Sequence, residues 1–165
     1  VTAHGLDRIK STIPHRGELL LVDRVTEVEP GRRLTALKAI SGNEPCYAPL
    51  GRDAAPADYA YPTSLVVESW AQSAVLLSVW EAPNPDVLAG KVELAGSIND
   101  VVFGVRAHPG EVLEHRVRLV KAVGETAILT GETCVGGREA LRVGSFVVAL
   151  RDVTELLPAP ALLNV

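Results

Sequence analysis

The sequence predicts an α+β fold, a long antiparallel sheet wrapped around one central buried helix, and three observations carry that prediction. The chain has a single convincing long helix, over residues 63–81, and its apolar residues surround the axis instead of forming one stripe. From about residue 87 onwards the sequence reads as strands separated by short turns. Hydrophobic residues make up 47% of the chain but aromatic residues only 4%, so the core has to be built from Val, Leu, Ala and Ile, which suits a sheet. A helix apolar on every side has to be buried on every side, and short turns make consecutive strands antiparallel. The simplest packing of such parts is a sheet curled around the helix.

At 165 residues the chain is expected to be one domain, 1–165, with a core of about 9–150 and a C-terminal extension over 151–165. A short helix or turn is expected over 7–12 and is broken by Pro14 and Gly17 in "IPHRGE". "LLLVDRVTEVE" reads as a strand, "PGRR" as a tight turn and "LTALKAI" as the returning strand of a hairpin. Residues 41–62 hold Pro45, Pro49, Gly51 and Pro56 and form an irregular loop, long enough to suggest a functional one. Pro62 suits the first turn of the long helix and "APNP" stops it. Later turns are expected at "HPGE", "GE" and "GG". In "EHRVRLV" the charges Glu114, Arg116 and Arg118 alternate with His115, Val117 and Leu119, the period of a strand with one wet face.

Sixteen Lys and Arg against twenty Asp and Glu, a formal net charge of −4, favour neither nucleic acid nor an anionic membrane as partner. The longest apolar run is interrupted by Ser and Gln and is too short to span a bilayer, and the first ten residues carry no apolar signal region, so a cytoplasmic location is expected. Cys46 and Cys134 are isolated and read as buried thiols. No His/Cys cluster and no Gly-rich phosphate loop implies a metal or a nucleotide cofactor.

Glu68 lies in the middle of the most hydrophobic stretch, "SLVVESWAQSAVLLSVW". A carboxylate is costly there unless it has a partner or a task. Ser64, Glu68 and Gln72 are spaced i, i+4, i+8 and share one helix face. Two readings follow: a structural stripe in which Gln72 or backbone groups satisfy Glu68, or a carboxyl whose pKa is raised by apolar surroundings so that it donates a proton near neutral pH.

The elements Pro14-His15-Arg16, Leu21-Val22-Asp23-Arg24, Asn43-Glu44-Pro45 and Glu68 to Gln72, followed by "HPGE" at 108–111, occur in an order and spacing that resembles the 3-hydroxyacyl-[acyl-carrier-protein] dehydratases of the His/Glu type. The resemblance covers roughly residues 9–150 and implies a hot-dog fold. It implies removal of water from a 3-hydroxyacyl thioester carried on phosphopantetheine, with no other cofactor: a histidine takes the C2 proton and the helix carboxyl, here Glu68, assists the leaving hydroxyl. A backbone N–H at the helix start, here Thr63 where the family has glycine, would polarise the thioester carbonyl. Ser64 and Gln72 would be supporting polar residues.

The family's histidine lies in a Gly-His-Phe-Pro segment between Asn-Glu-Pro and the helix, and this chain has no histidine between Tyr47 and Glu68. Asp53 and Asp58 of the altered loop are candidate surrogate bases. His15 belongs to the Pro-His-Arg element, which in the family is not the base, and reads as structural. His108 and His115 read as ordinary polar positions. The resemblance further implies acyl carrier protein as partner and subunits paired through their sheets, with each site made at the interface. A chain that keeps the carboxyl and lacks the histidine is therefore expected to act as a homodimer, or as a heterodimer with a related histidine-bearing subunit. The alternatives are a non-catalytic acyl-thioester binding module and a hot-dog thioesterase using Glu68 as base or nucleophile.

Overall fold

The computed structural model describes residues 3–156. A short helix α1 (Leu6–Thr12) precedes the hairpin β1 (Arg24–Glu29) and β2 (Arg33–Ala39). The long helix α2 (Thr63–Ser78) follows, then β3 (Lys91–Phe103), β4 (Val112–Val123), β5 (Thr126–Val135), β6 (Arg138–Asp152) and one turn of helix, α3 (Val153–Leu156). The strands form one six-stranded antiparallel sheet in the order β1-β2-β4-β5-β6-β3. α2 packs against β2, β4, β5 and β6, so the sheet holds the helix as the sequence predicts: a hot-dog fold.

Alternation sets the two faces of the sheet. In β4 Leu113, His115 and Val117 are buried toward α2, while Arg116 and Arg118 face water. On the wet face Arg116 pairs with Glu114 and Glu132. Trp70, fully buried, stands at the centre of the core with its ring edge-on to Phe146. It reaches that depth because β5 carries Gly131 opposite, where a Cβ would lie 2.0 Å from the Arg116 carbonyl oxygen and 3.2 Å from Trp70 Nε1.

Three parts of the sheet and its surroundings differ from the sequence reading. Residues 20–23 are extended but pair only in part, because their backbone turns to serve α2 and β2: Leu21 N donates to Gln72 Oε1 (3.0 Å) and Asp23 N to the Leu37 carbonyl (2.9 Å). The Asp23 carboxylate in turn accepts from Ala39 N at 2.7 Å, closing the mouth of the hairpin. Asp23→Ala is expected to cost about 1 kcal/mol, as the loss of one charge-assisted hydrogen bond at a partly solvated position does, and urea unfolding would measure it. The segments "VLAGKVEL" and "DVVFGVRA" are joined in one long β3, whose register slips between Ala95 and Ser97. The expected extension at 151 begins inside β6, and α3 is tied back through Val153 N to the Gly90 carbonyl at 2.9 Å. The rest of that extension lies outside the described residues.

A further difference concerns α2. Its sheet-facing side is fully enclosed, but Glu68, Ala71 and Val75 are only half-buried and line a cavity. An apolar helix surface facing open space is a surface prepared for another apolar body.

Candidate active site

The site is built around Gln72, buried on α2. Its amide donates to the Leu19 carbonyl (2.6 Å) and to Glu68 Oε1 (2.8 Å), and its oxygen accepts from Leu21 N. One side chain thus ties the segment before β1 to α2 and fixes the rotamer of Glu68 one turn earlier. The structural half of the expectation for the stripe is therefore present, and Ser64 at its other end stays exposed.

The same tie brings the preceding segment over the helix. Arg16 donates to the carbonyls of Lys10, Ile13 and His15 at 2.6–2.7 Å, clamping the end of α1 to the turn that follows. His15 is carried by that clamp to Glu68, with Nε2 3.6 Å from Oε1. That separation is too long for a hydrogen bond, so the imidazole lone pair and the carboxyl are both available to a third group. The two side chains keep 28% and 43% of their surface exposed, and a ligand can reach them. Burial holds the His15 pKa below the ordinary histidine value, outweighing the opposite pull of Glu68, and Arg16 lowers it further. His15 Nδ1 is buried without a hydrogen-bond partner.

His15 and Glu68 line one cavity of about 170 Å³ that runs along α2 past Ala71 and Val75 to Val79, walled on the far side by β3 and by Phe146. The sequence reading missed the contact because the fifty-two residues between His15 and Glu68 carry no local spacing rule. The signal that was present is the Glu68–Gln72 spacing together with a segment, 14–24, too polar at His15 and Arg16 to be a plain core strand.

The loop candidates lie elsewhere. Asp58 caps its own 3-10 turn by accepting from Ala55 N at 2.8 Å, and Asp53 sits in an exposed turn. Neither lines the cavity that holds Glu68 within the chain. Thr63 opens α2 with no side-chain cap; Leu65 N and Val66 N donate to the Pro62 carbonyl at 3.0 and 3.1 Å, which leaves the Thr63 and Ser64 N–H groups as the orphan donors of the first turn, and neither residue is among those that line the cavity of His15 and Glu68. Glu44 of the Asn-Glu-Pro element pairs with Lys38, both nearly enclosed, which anchors the start of the altered loop to β2. His108 N donates to the Glu111 carboxylate within its turn, and His115 is fully enclosed. Cys134 is buried and Cys46 half-buried, and burial pushes both thiols up. Among the described residues no His/Cys/Asp/Glu group could hold a metal ion, and no helix is long and apolar enough to cross a membrane.

A sheet wrapped on one helix defines a hot-dog protein, and in the cavity beside that helix a histidine and a carboxyl meet. Residues 13–143 match the FabA-like domain family, and the chain belongs to it. It is 35% identical over 144 residues to a 3-hydroxyacyl-[acyl-carrier-protein] dehydratase FabZ of Anaeromyxobacter dehalogenans (87% of this chain, 88% of the relative). It is 33% identical over 152 residues to the FabZ of Staphylococcus carnosus (92% and 99%). Among solved structures it superposes on the dehydratase heterocomplex ApeI:P from Xenorhabdus doucetiae with a TM-score of 0.71 at 19% identity, covering 93% of this chain and 95% of that one. The F36A mutant of the fluoroacetyl-CoA-specific thioesterase FlK shares the fold at a TM-score of 0.60 and 15% identity, covering 79% and 93%.

Proposed function

We propose that this chain removes water from 3-hydroxyacyl thioesters presented on the phosphopantetheine arm of acyl carrier protein, giving 2-enoyl thioesters in fatty-acid or polyketide type biosynthesis. Its own His15 and Glu68 are the proton-transfer pair. The observation that carries this reading is the meeting of an imidazole held neutral and a carboxyl 3.6 Å apart in one ligand-sized cavity, in a chain whose relatives are named dehydratases.

In this cycle Glu68 acts as the acid and His15 as the base. The Thr63 N–H at the start of α2 polarises the thioester carbonyl, which acidifies C2. His15 Nε2 takes the C2 proton as the C2–C3 double bond forms, and Glu68 gives its proton to the C3 hydroxyl, which leaves as water. The imidazolium then returns its proton to the Glu68 carboxylate across the gap between them, and the starting state is restored. The cycle needs no cofactor beyond the arm that carries the substrate.

The free edge of β3 supports pairing with a second subunit. Thirteen residues long, it has no buried residue, and Val102 and Phe103 are half exposed. An uncovered edge of that length and apolarity is a template for another strand, supplied by a second copy or by a related subunit. If the histidine-bearing subunit of the second kind supplies the base, Glu68 serves a shared site.

Purified chain mixed with a short 3-hydroxyacyl carrier-protein thioester and followed by mass spectrometry distinguishes these. Loss of one water with this chain alone is expected. Turnover only after a related dehydratase subunit is added would move the base to the partner, and no turnover in either mixture would leave a binding module.

A further inference from the structure

The cavity that holds His15 and Glu68 has a second carboxyl that the dehydration step does not use. Glu93 on β3 lines it at the far end, together with Val79, Val87, Val92 and Phe146. Glu93 Oε1 contacts Ser78 Oγ on α2. Ser78 lies ten residues beyond Glu68 on that helix, a rise of ~15 Å at 1.5 Å per residue.

Ser78 Oγ lies between two acceptors, the Val75 carbonyl at 2.8 Å and Glu93 Oε1. Burial pushes the Glu93 carboxyl up to about 7, against the smaller lowering effect of the Ser78 hydrogen bond. With Oε1 engaged by Ser78, Oε2 is an acceptor with no hydrogen-bond partner among the described side-chain bonds. The neighbouring polar groups are already engaged: Asn84 Nδ2 donates to the Ala89 and Lys91 carbonyls at 2.8 and 2.7 Å, and Lys91 Nζ pairs with Glu125.

An apolar channel ending in one uncommitted acceptor is matched by an acyl chain that is apolar along its length and carries a hydroxyl toward its far end. We propose that Glu93 is a specificity-determining residue that selects acyl chains oxygenated at a distal carbon, its free oxygen accepting the chain's hydroxyl. The proposal rests on the acyl-thioester reading of the cavity. A saturated chain of the same length leaves the acceptor unpaired and dry, and an anionic chain end meets a second carboxyl; both are disfavoured.

Binding, not turnover, tests it, so that a failure of the dehydration reading is distinguishable. Pantetheine-linked decanoyl amide and its ω-hydroxy derivative are titrated calorimetrically into the full chain. The ω-hydroxy analogue is expected to bind about three- to tenfold tighter, the worth of one hydrogen bond in a dry site. Glu93→Leu is expected to remove that preference and Glu93→Gln, which keeps an acceptor, to retain it. Equal affinities in the unsubstituted chain, or a preference that survives Glu93→Leu, would overturn the proposal. Failure of either analogue to bind would overturn it together with the acyl-cavity reading, whereas binding with preference but no dehydration would leave it standing alone.

Discussion

His15→Gln is expected to lower kcat for dehydration by about 10²–10⁴-fold, the usual contribution of a positioned base, while leaving the urea midpoint almost unchanged. The second half follows from the structure: His15 Nδ1 has no partner to lose, and Nε2 lies beyond hydrogen-bond range of Glu68. Glu68→Gln should lose as much. The double variant should be no worse than either single one, because two groups that share one proton cycle act as a unit. The pH profile separates catalysis from positioning. Because desolvation lowers the His15 pKa, the base form is complete at neutral pH, and kcat is expected to fall only below the ordinary histidine range. That limb should vanish in His15→Gln. A merely structural histidine would leave the profile's shape untouched, and a loss of activity without a change in the acid limb would sink the assignment.

The parts of this fold legible in the sequence were those fixed by local periodicity. The alternation in β4 and the stop signals around α2 follow from the side-chain periods of strand and helix, so both could be read without knowing what lay opposite. The closing of β3 onto β6, past β4 and β5, has no such period. It appears in the sequence only as two apolar segments separated by polar Ser97 and Asn99. The site divides the same way. Glu68 and Gln72 were visible as one-turn neighbours. His15 was not, because its approach depends on Arg16 gathering three nearby carbonyls and on Gln72 gripping Leu19 and Leu21 from more than fifty residues away. The expectation that α2 is buried all round holds for the face on the sheet only. The other face reads as equally apolar because an apolar cavity and a protein core ask the same composition of a helix, and Glu68 marks which side is which.

Acidification is expected to unfold this protein through His115, at a cost on the order of several kcal/mol. The ring is fully buried, with Nε2 2.7 Å from Ser69 Oγ and Nδ1 2.8 Å from Thr133 Oγ1. A neutral imidazole satisfies both hydroxyls, donating at one nitrogen and accepting at the other. An imidazolium would force both hydroxyls to accept in a dry core beside Lys38. Burial first, and Lys38 second, hold its pKa at about 3 against 6.5 for the free side chain. The unfolded chain therefore binds the extra proton throughout that window: the stability is complete above 6.5 and is lost as pH falls toward 3, by up to about 1.4 kcal/mol per pH unit. Glu93 works in the opposite direction. Its folded value of about 7 lies above 4.5, so its contribution is complete below 4.5 and is lost as pH rises toward 7. The two oppose each other between 4.5 and 6.5, and the urea midpoint should change little there, then drop steeply below 4.5, where Glu93 no longer offsets His115. His115→Gln keeps a donor and an acceptor but cannot titrate at these pH values. Whatever it costs at neutral pH, its midpoint should fall less than that of the unsubstituted chain between 4.5 and 3, and parallel curves for the two proteins would show that the core histidine is not what acid attacks.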